Sequence, residues 1–398
     1  MAAGYVSQQA LVHALAERGL SIDVRQVRRW ESDTPPWPYP GAQQALTELL
    51  GQDVESLGFT PPAGHDRAVT SRVARVASPG SSPRVSMQNA ASTQPASAAA
   101  DYLAVTRAHR RLYWTVAPAV LHPAVSAHAA LGGALLPATA GATRQAVATA
   151  LAESFLLAGR IEFFDLREPQ QADDTWLRAL QAAGEADDPL LGAAVLAHKA
   201  FVPGWGGDRA GAAERMLMAR TYARRGPASG EFLAWLDAVE AECETRCKHL
   251  RTALNLIAHG EEVLTAGPEH ALPEWMDWFS PVRLAAFKGN TQLIAGHLPQ
   301  ARETLLGVLD TLPADADKQR TVVLGDLAAV EAAAGAPEAA CVYAIRALDQ
   351  LETHWYATGM ERVREARRAL AAWQHEQCVR DLDDRLYGWG TTLSVLTR

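Results

Sequence analysis

Cysteine is scarce in this chain, with only Cys243, Cys247, Cys341 and Cys378 among 398 residues. So sparse a set does not build a disulfide-stapled scaffold. Cys243 and Cys247 stand four apart on an expected helix with His249 nearby, but no second pair stands at a spacing that would complete a zinc site. They read as buried thiols, with no metal and no cofactor implied. No apolar run of membrane-spanning length is evident, which argues against a transmembrane helix. A basic segment followed by an apolar stretch is missing at the N-terminus, which argues against a signal peptide. Strand-like alternation of useful length is missing too. So are the common catalytic motifs: a phosphate-binding loop ending in Gly-Lys-Ser/Thr, a Gly-x-Ser-x-Gly elbow and His-Glu-x-x-His. Gly226-Pro-Ala-Ser-Gly230 approaches an elbow at the wrong spacing. These absences point to a cytoplasmic, non-enzymatic, all-α protein with no membrane partner.

What is present divides into three stretches. The totals are ordinary for a soluble chain, at 48% hydrophobic and 21% charged residues, with eleven Trp. Residues 1–60 hold four Arg against seven Asp/Glu, a balance of −3. Residues 61–100 hold four Arg and one Asp, a balance of +3, and are rich in Pro, Ser, Ala and Gly. That composition predicts a disordered linker. Residues 101–398 carry the remaining −8 of a total of −8 and show apolar residues at three and four spacing almost throughout.

In the first stretch, Ser7 caps an expected helix running to about Arg18, and Asp23 caps a second. The segment Asp23-Val-Arg-Gln-Val-Arg-Arg-Trp-Glu31 puts Val27 and Trp30 on one face and turns Arg25, Gln26, Arg28 and Arg29 elsewhere. A short helix with an apolar back and an Arg/Gln front fits a DNA major groove. Pro35-Pro-Trp-Pro-Tyr-Pro40 stops it, and a third helix is expected at about 41–50.

In the long stretch, helices are expected from 101–117 and 141–164 through to 376–387, including 275–289. Many helices joined by short Gly/Pro breaks predict a solenoid rather than one bundle. Gly296, Ala301, Leu305, Val308 and Pro313 have the spacing of the second half of a tetratricopeptide repeat. Gly335, Ala340, Ala344 and Ala347 echo it 39 residues later, and Ala172, Trp176 and Ala179 are a weaker copy.

The N-terminal stretch resembles the Cro/phage-repressor (XRE-type) helix-turn-helix family through Ser7-Gln-Gln-Ala-Leu11, Val27-Arg-Arg-Trp-Glu31 and the later Pro40–Gly51 run. The whole chain is similar to actinobacterial regulators that join such a domain to a tetratricopeptide-like region. Leu157-Ala-Gly-Arg-Ile-Glu-Phe-Phe-Asp165, Trp275-Met-Asp-Trp-Phe279 and Trp355-Tyr-Ala-Thr-Gly359 carry that likeness. The family's usual first helix has no counterpart in the six residues before Ser7, and Ser32 stands where Gly usually follows Trp-Glu. The resemblance implies a helix-turn-helix domain over 1–60 that contacts a double-stranded DNA operator. Ser7 would cap the helix from which Gln8 meets phosphate. Arg25, Gln26 and Arg28 would face base edges and Arg29 the backbone. It implies a sensor and dimerisation domain over 101–398, a homodimer, and a peptide, small-molecule or protein effector.

Two aromatic groups are candidate ligand sites: Arg160 with Phe163, Phe164 and Asp165, and Trp275 with Trp278, Phe279 and Arg283. Aromatics at helical spacing are also ordinary core. The basic run Arg107, His109, Arg110, Arg111 reads as a solvated face or an auxiliary phosphate contact. Isolated carboxylates such as Glu153 and Glu240 read as ion-pair partners. The alternative to a DNA-binding regulator is a protein-interaction scaffold whose degenerate helix-turn-helix no longer binds DNA; the −3 balance and the missing first helix motivate it.

Overall fold

A computed structural model describes residues 7–60 apart from 17–19, 21, 33–34, 51, 53 and 55–56, and then residues 94–266 and 270–396. All regular structure among the described residues is helical, and no strand occurs there. The chain divides into two compact units, Met1–Val85 and Ser86–Arg398. Most of the expected linker, residues 61–93, lies outside the described residues, but its end does not: a helix already begins at Ala96.

The small unit contains α1 (Gln8–Ala16), α2 (Val24–Trp30) and α3 (Pro40–Leu50). Ser7 Oγ accepts the Ala10 N–H at 3.2 Å, and Asp23 Oδ1 accepts the Gln26 N–H at 2.8 Å, so both helix starts have side-chain caps. Val27 is fully buried, and Trp30 packs with Leu15, Ala42 and Leu46 in one core. The Trp30 ring meets Phe59 edge-on at 6.1 Å. Its seven residues make α2 too short to persist alone, so this apolar back is what keeps it helical.

The large unit runs from α4 (Ala96–Leu112) through α5 (Pro118–Leu135) and α6 (Gly141–Arg160), which opens into a π-helical turn, Ile161–Leu166. Helices α7 (Pro169–Glu185), α8 (Pro189–Trp205), α9 (Arg209–Ala223), α10 (Gly230–Arg246) and α11 (Leu250–Thr265) follow. Then come α12 (Pro281–Ile294), α13 (Leu298–Thr311), α14 (Asp317–Ala333), α15 (Pro337–Thr353), α16 (Ala357–Ala369) and α17 (Gln377–Leu396). Sequential helices pack as pairs, α6 with α7, α8 with α9, α10 with α11, α12 with α13 and α14 with α15. The first members of the pairs also touch in series from α6 to α16, forming an inner layer.

Each pair is joined by the same device. Arg167, Gly207, Lys248, Gly296 and Gly335 all have φ between 63° and 82°. At four of these turns the following residue donates its N–H back five positions. Asp208 bonds Pro203 O, His249 bonds Glu244 O, His297 bonds Gln292 O and Ala336 bonds Glu331 O, at 2.8–2.9 Å. This closes the first helix with a left-handed residue. Five residues on, Ala172, Ala212, Ala253, Ala301 and Ala340 are all buried. Four further on, Trp176, Met216, Ile257, Leu305 and Ala344 are buried as well. The pattern legible at 296–308 and 335–347 therefore recurs in every pair. Lys248 hides one copy, because the left-handed turn there is made without glycine.

Four further expectations need correction. Helix α5 was not anticipated: no helix was expected between residues 117 and 141. Pro118 sits in the first turn, where its missing N–H costs no bond. Gly132 is required by packing, since a Cβ there would overlap the Tyr102 ring. Pro118–Ala138 is also long and apolar enough to cross a membrane by length and composition, contrary to the reading that no such run exists. The helix expected at 275–289 lies at 281–294, because Ser280 Oγ caps the Arg283 N–H at 3.3 Å and Pro281 opens the first turn. The basic run after Leu103 is not all solvated. Arg110 is buried against Glu153, and Arg107 pairs with Glu274 at 2.6 Å.

Candidate functional site

The inner layer of the large unit curls until its end meets its beginning. Thr358 Oγ1, on α16, donates to the Phe164 carbonyl in the π turn at 3.0 Å. Lys318 Nζ, on α14, lies 3.0 Å from Asp165 Oδ1 in the same turn, and Arg167 pairs with Glu361. An open solenoid has contacts between neighbours alone; here the ends also touch. The π turn makes this possible, because its wider winding carries Phe164 and Asp165 off the register of α6.

The closure leaves a cavity of about 100 Å³. Its wall draws Arg160 from the end of α6, Phe164 from the π turn, His198 and Trp205 from α8, and Trp235 and Glu242 from α10. Trp278 and Phe279 enter from the segment before α12, and Arg283 and Asn290 from α12 itself. Lys318 and Asp326 on α14, Tyr356, and Arg362 on α16 complete it, with Tyr113 and Trp114 from the turn after α4.

The two aromatic groups expected as separate sites are thus parts of one wall. Arg160, Phe164, Trp278, Phe279 and Arg283 line it. Phe163 and Trp275 do not. Phe163 is buried among Trp176, Phe201 and Trp205, and Trp275 packs on Phe232 and Trp278. Sequence reasoning missed His198, Glu242, Lys318, Asp326 and Arg362. Their signal is a polar or charged side chain in the middle of an apolar helix, as in Ala197-His-Lys-Ala-Phe201 and Leu324-Gly-Asp-Leu-Ala328.

The buried charges are mutually compensated on one side of the cavity. Arg362 reaches Asp326 at 3.3 Å and Glu242 at 3.6 Å, and Asn290 Nδ2 donates to Asp326 Oδ1 at 3.1 Å. Burial pushes the Asp326 carboxyl up to about 6 against the pull of Arg362. Glu242 is also penalised by burial, but Arg246 and Arg362 hold it below the usual carboxylate range. Tyr113 Oη donates to Asp165 Oδ2 at 3.0 Å, and burial drives that hydroxyl well above its ordinary value. His198 Nδ1 lies 2.8 Å from the Ala194 carbonyl, so Nδ1 carries the hydrogen. Burial, then Arg160, pushes its pKa down to about 3, leaving a neutral ring.

In the small unit, Arg25, Arg28 and Arg29 are exposed and Gln26 is half-buried. Gln8 bridges α1 and α2. Its Nε2 donates to Glu31 Oε2 at 2.6 Å, and its Oε1 accepts from Arg28 Nε at 3.1 Å. Ser7 is exposed and serves as the cap of α1. Cys243 and Cys247 each donate to a backbone carbonyl, of Ala200 and Gly204 respectively. No group of three or more metal-ligating side chains assembles among the described residues. Compared with protein-family models and with curated proteins, the chain matches none.

Proposed function

We propose that this chain is a sequence-specific DNA-binding regulator whose small unit is a helix-turn-helix domain and whose large unit is a tetratricopeptide-like sensor. The observation that carries the reading is α2 itself: Val27 and Trp30 seat it on the core while Arg25, Arg28 and Arg29 stay exposed. Arg gives paired donors to guanine and Gln to adenine, each such contact contributing about 1–3 kcal/mol of discrimination. The Gln8 bridge supports the same reading, because it fixes α1 against the arginine-bearing helix. In the large unit, recurring left-handed turns and the series of inner helices support a repeat array, and the lined cavity supports a sensor. One such small unit reads a half-site, so the active form is a homodimer on a paired operator. Its place is the cytoplasm, where its DNA lies.

A gel-shift assay on DNA upstream of the gene tests this. A salt-sensitive, sequence-selective shift is expected, and Arg25→Ala with Arg28→Ala should abolish it. No shift, or one that the double variant leaves intact, rejects the reading. A scaffold without DNA binding has the −3 balance of residues 1–60 in its favour. Capture of a protein partner by the full chain, together with an absent shift, selects it.

A further inference from the structure

Two cations on the cavity wall lack a carboxylate partner. Arg160 is 6% exposed, yet among the described residues its side chain has no hydrogen bond and no carboxylate oxygen within 4.0 Å. Rings surround it instead: its guanidinium carbon lies 4.5 Å from the Trp278 ring centroid, 4.9 Å from Tyr113 and 5.7 Å from Trp114. Arg283 is half-buried, 5.6 Å from the Phe287 ring and likewise without an ion pair among the described residues. The other wall cations are engaged, Lys318 by Asp165 and Arg362 by Asp326 and Glu242. The indole N–H groups of Trp205 and Trp278, two more wall residues, are buried without an acceptor among the described residues.

Ring faces attract a guanidinium but accept none of its five N–H donors in the plane where they point. A buried cation in that state matches an acceptor anion, and the planar fork matches a carboxylate best. We propose that the cavity binds a small organic carboxylate with an aromatic body, its carboxylate on Arg160 and its apolar part among the indole and phenyl rings. The inference rests on reading the large unit as a sensor and names the chemistry that it senses. Size agrees. At roughly 10–15 Å³ per water-sized position, the cavity offers roughly seven to ten positions, which is the scale of an aryl carboxylate. Charge agrees as well. Arg362 already holds Glu242 and Asp326, so Arg160 is left to pair with one negative charge, and the rings beside it suit an apolar substituent rather than the further oxygens of phosphate.

The test is titration of the full chain with phenylacetate, its neutral isostere phenylacetamide, and inorganic phosphate, followed by tryptophan fluorescence and calorimetry. Phenylacetate should saturate, and phenylacetamide should bind roughly 10- to 100-fold more weakly. Arg160→Met should lose the carboxylate preference while Arg160→Lys keeps part of it. If Arg160→Met fails to fold by circular dichroism, Arg283→Gln should still weaken phenylacetate several-fold without affecting phenylacetamide. Equal affinity for acid and amide, preference for phosphate, or no saturation by phenylacetate at millimolar concentration overturns the proposal. The gel shift is read separately. Carboxylate binding without DNA binding removes only the regulator reading, and DNA binding without carboxylate binding removes only the ligand.

Discussion

The small unit keeps Arg25, Arg28 and Arg29 in solvent, while the large unit takes Arg110, Arg160, Lys318 and Arg362 out of it. The same residue type therefore answers to different physics in the two places. On α2 the guanidinium groups remain hydrated and pay no desolvation cost. Inside the large unit each charge gives up its water and needs a carboxylate, a ring or a bound anion in return. Exposed cations can thus be changed freely without unfolding the protein, whereas buried ones are tied to stability or to occupancy of the cavity.

Substitutions probe that contrast directly. Arg362→Ala leaves buried Asp326 without its ion-pair partner and Glu242 with Arg246 alone, and a loss of about 3–5 kcal/mol is expected in urea unfolding. A loss near that of a surface site would erase the distinction between the units. His198 gives the next effect, in acid. Its pKa is about 3 in the folded chain against 6.5 when exposed, so as pH falls through 6.5 the unfolded state takes up a proton that the folded state refuses. Stability present above pH 6.5 should drop by about 3 kcal/mol by about pH 4, and His198→Gln should flatten that slope. Asp326, raised from 3.8 to about 6, acts in the opposite sense: its contribution is full below 3.8 and is lost as pH rises to about 6. Asp326→Asn is therefore the control that should steepen the acid loss. Lys248→Gly should gain about 1 kcal/mol in melting experiments, because the exposed lysine holds φ at 66° where three other pairs have glycine. Arg25→Ala with Arg28→Ala should cost no more than about 1 kcal/mol, the worth of the exposed Arg28–Gln8 hydrogen bond, even where DNA binding is lost. A larger destabilisation would show that these side chains support the small unit rather than serve its surface.

Much of the helical pattern was legible because a helix buries residues at three and four spacing. Ala301, Leu305 and Val308 were read from their repeat-like spacing on one helix, and all three are buried. Helix α5 was not legible, since Pro and Gly count as breaks until the groups packed against them are known. The candidate ligand residues were read as two clusters because Phe164 and Trp278 are far apart in the chain. They are joined only in three dimensions, where Arg160 stacks on Trp278 and α8 places Phe201 against Phe164 and His198 against Trp278. Neutral His198, raised Asp326 and unpaired Arg160 were illegible for a related reason. Each depends on burial, which no local pattern reports.

The sequence by itself determined the helical periodicity, the caps at Ser7 and Asp23, the left-handed glycine turns and the apolar back of α2, because these are local preferences of neighbouring residues. Tertiary structure alone decided which charges lost water and which partners they found. That outcome is set by contacts such as Lys318 with Asp165, 153 residues apart, and by the closure that turns an open helical layer into a lined cavity.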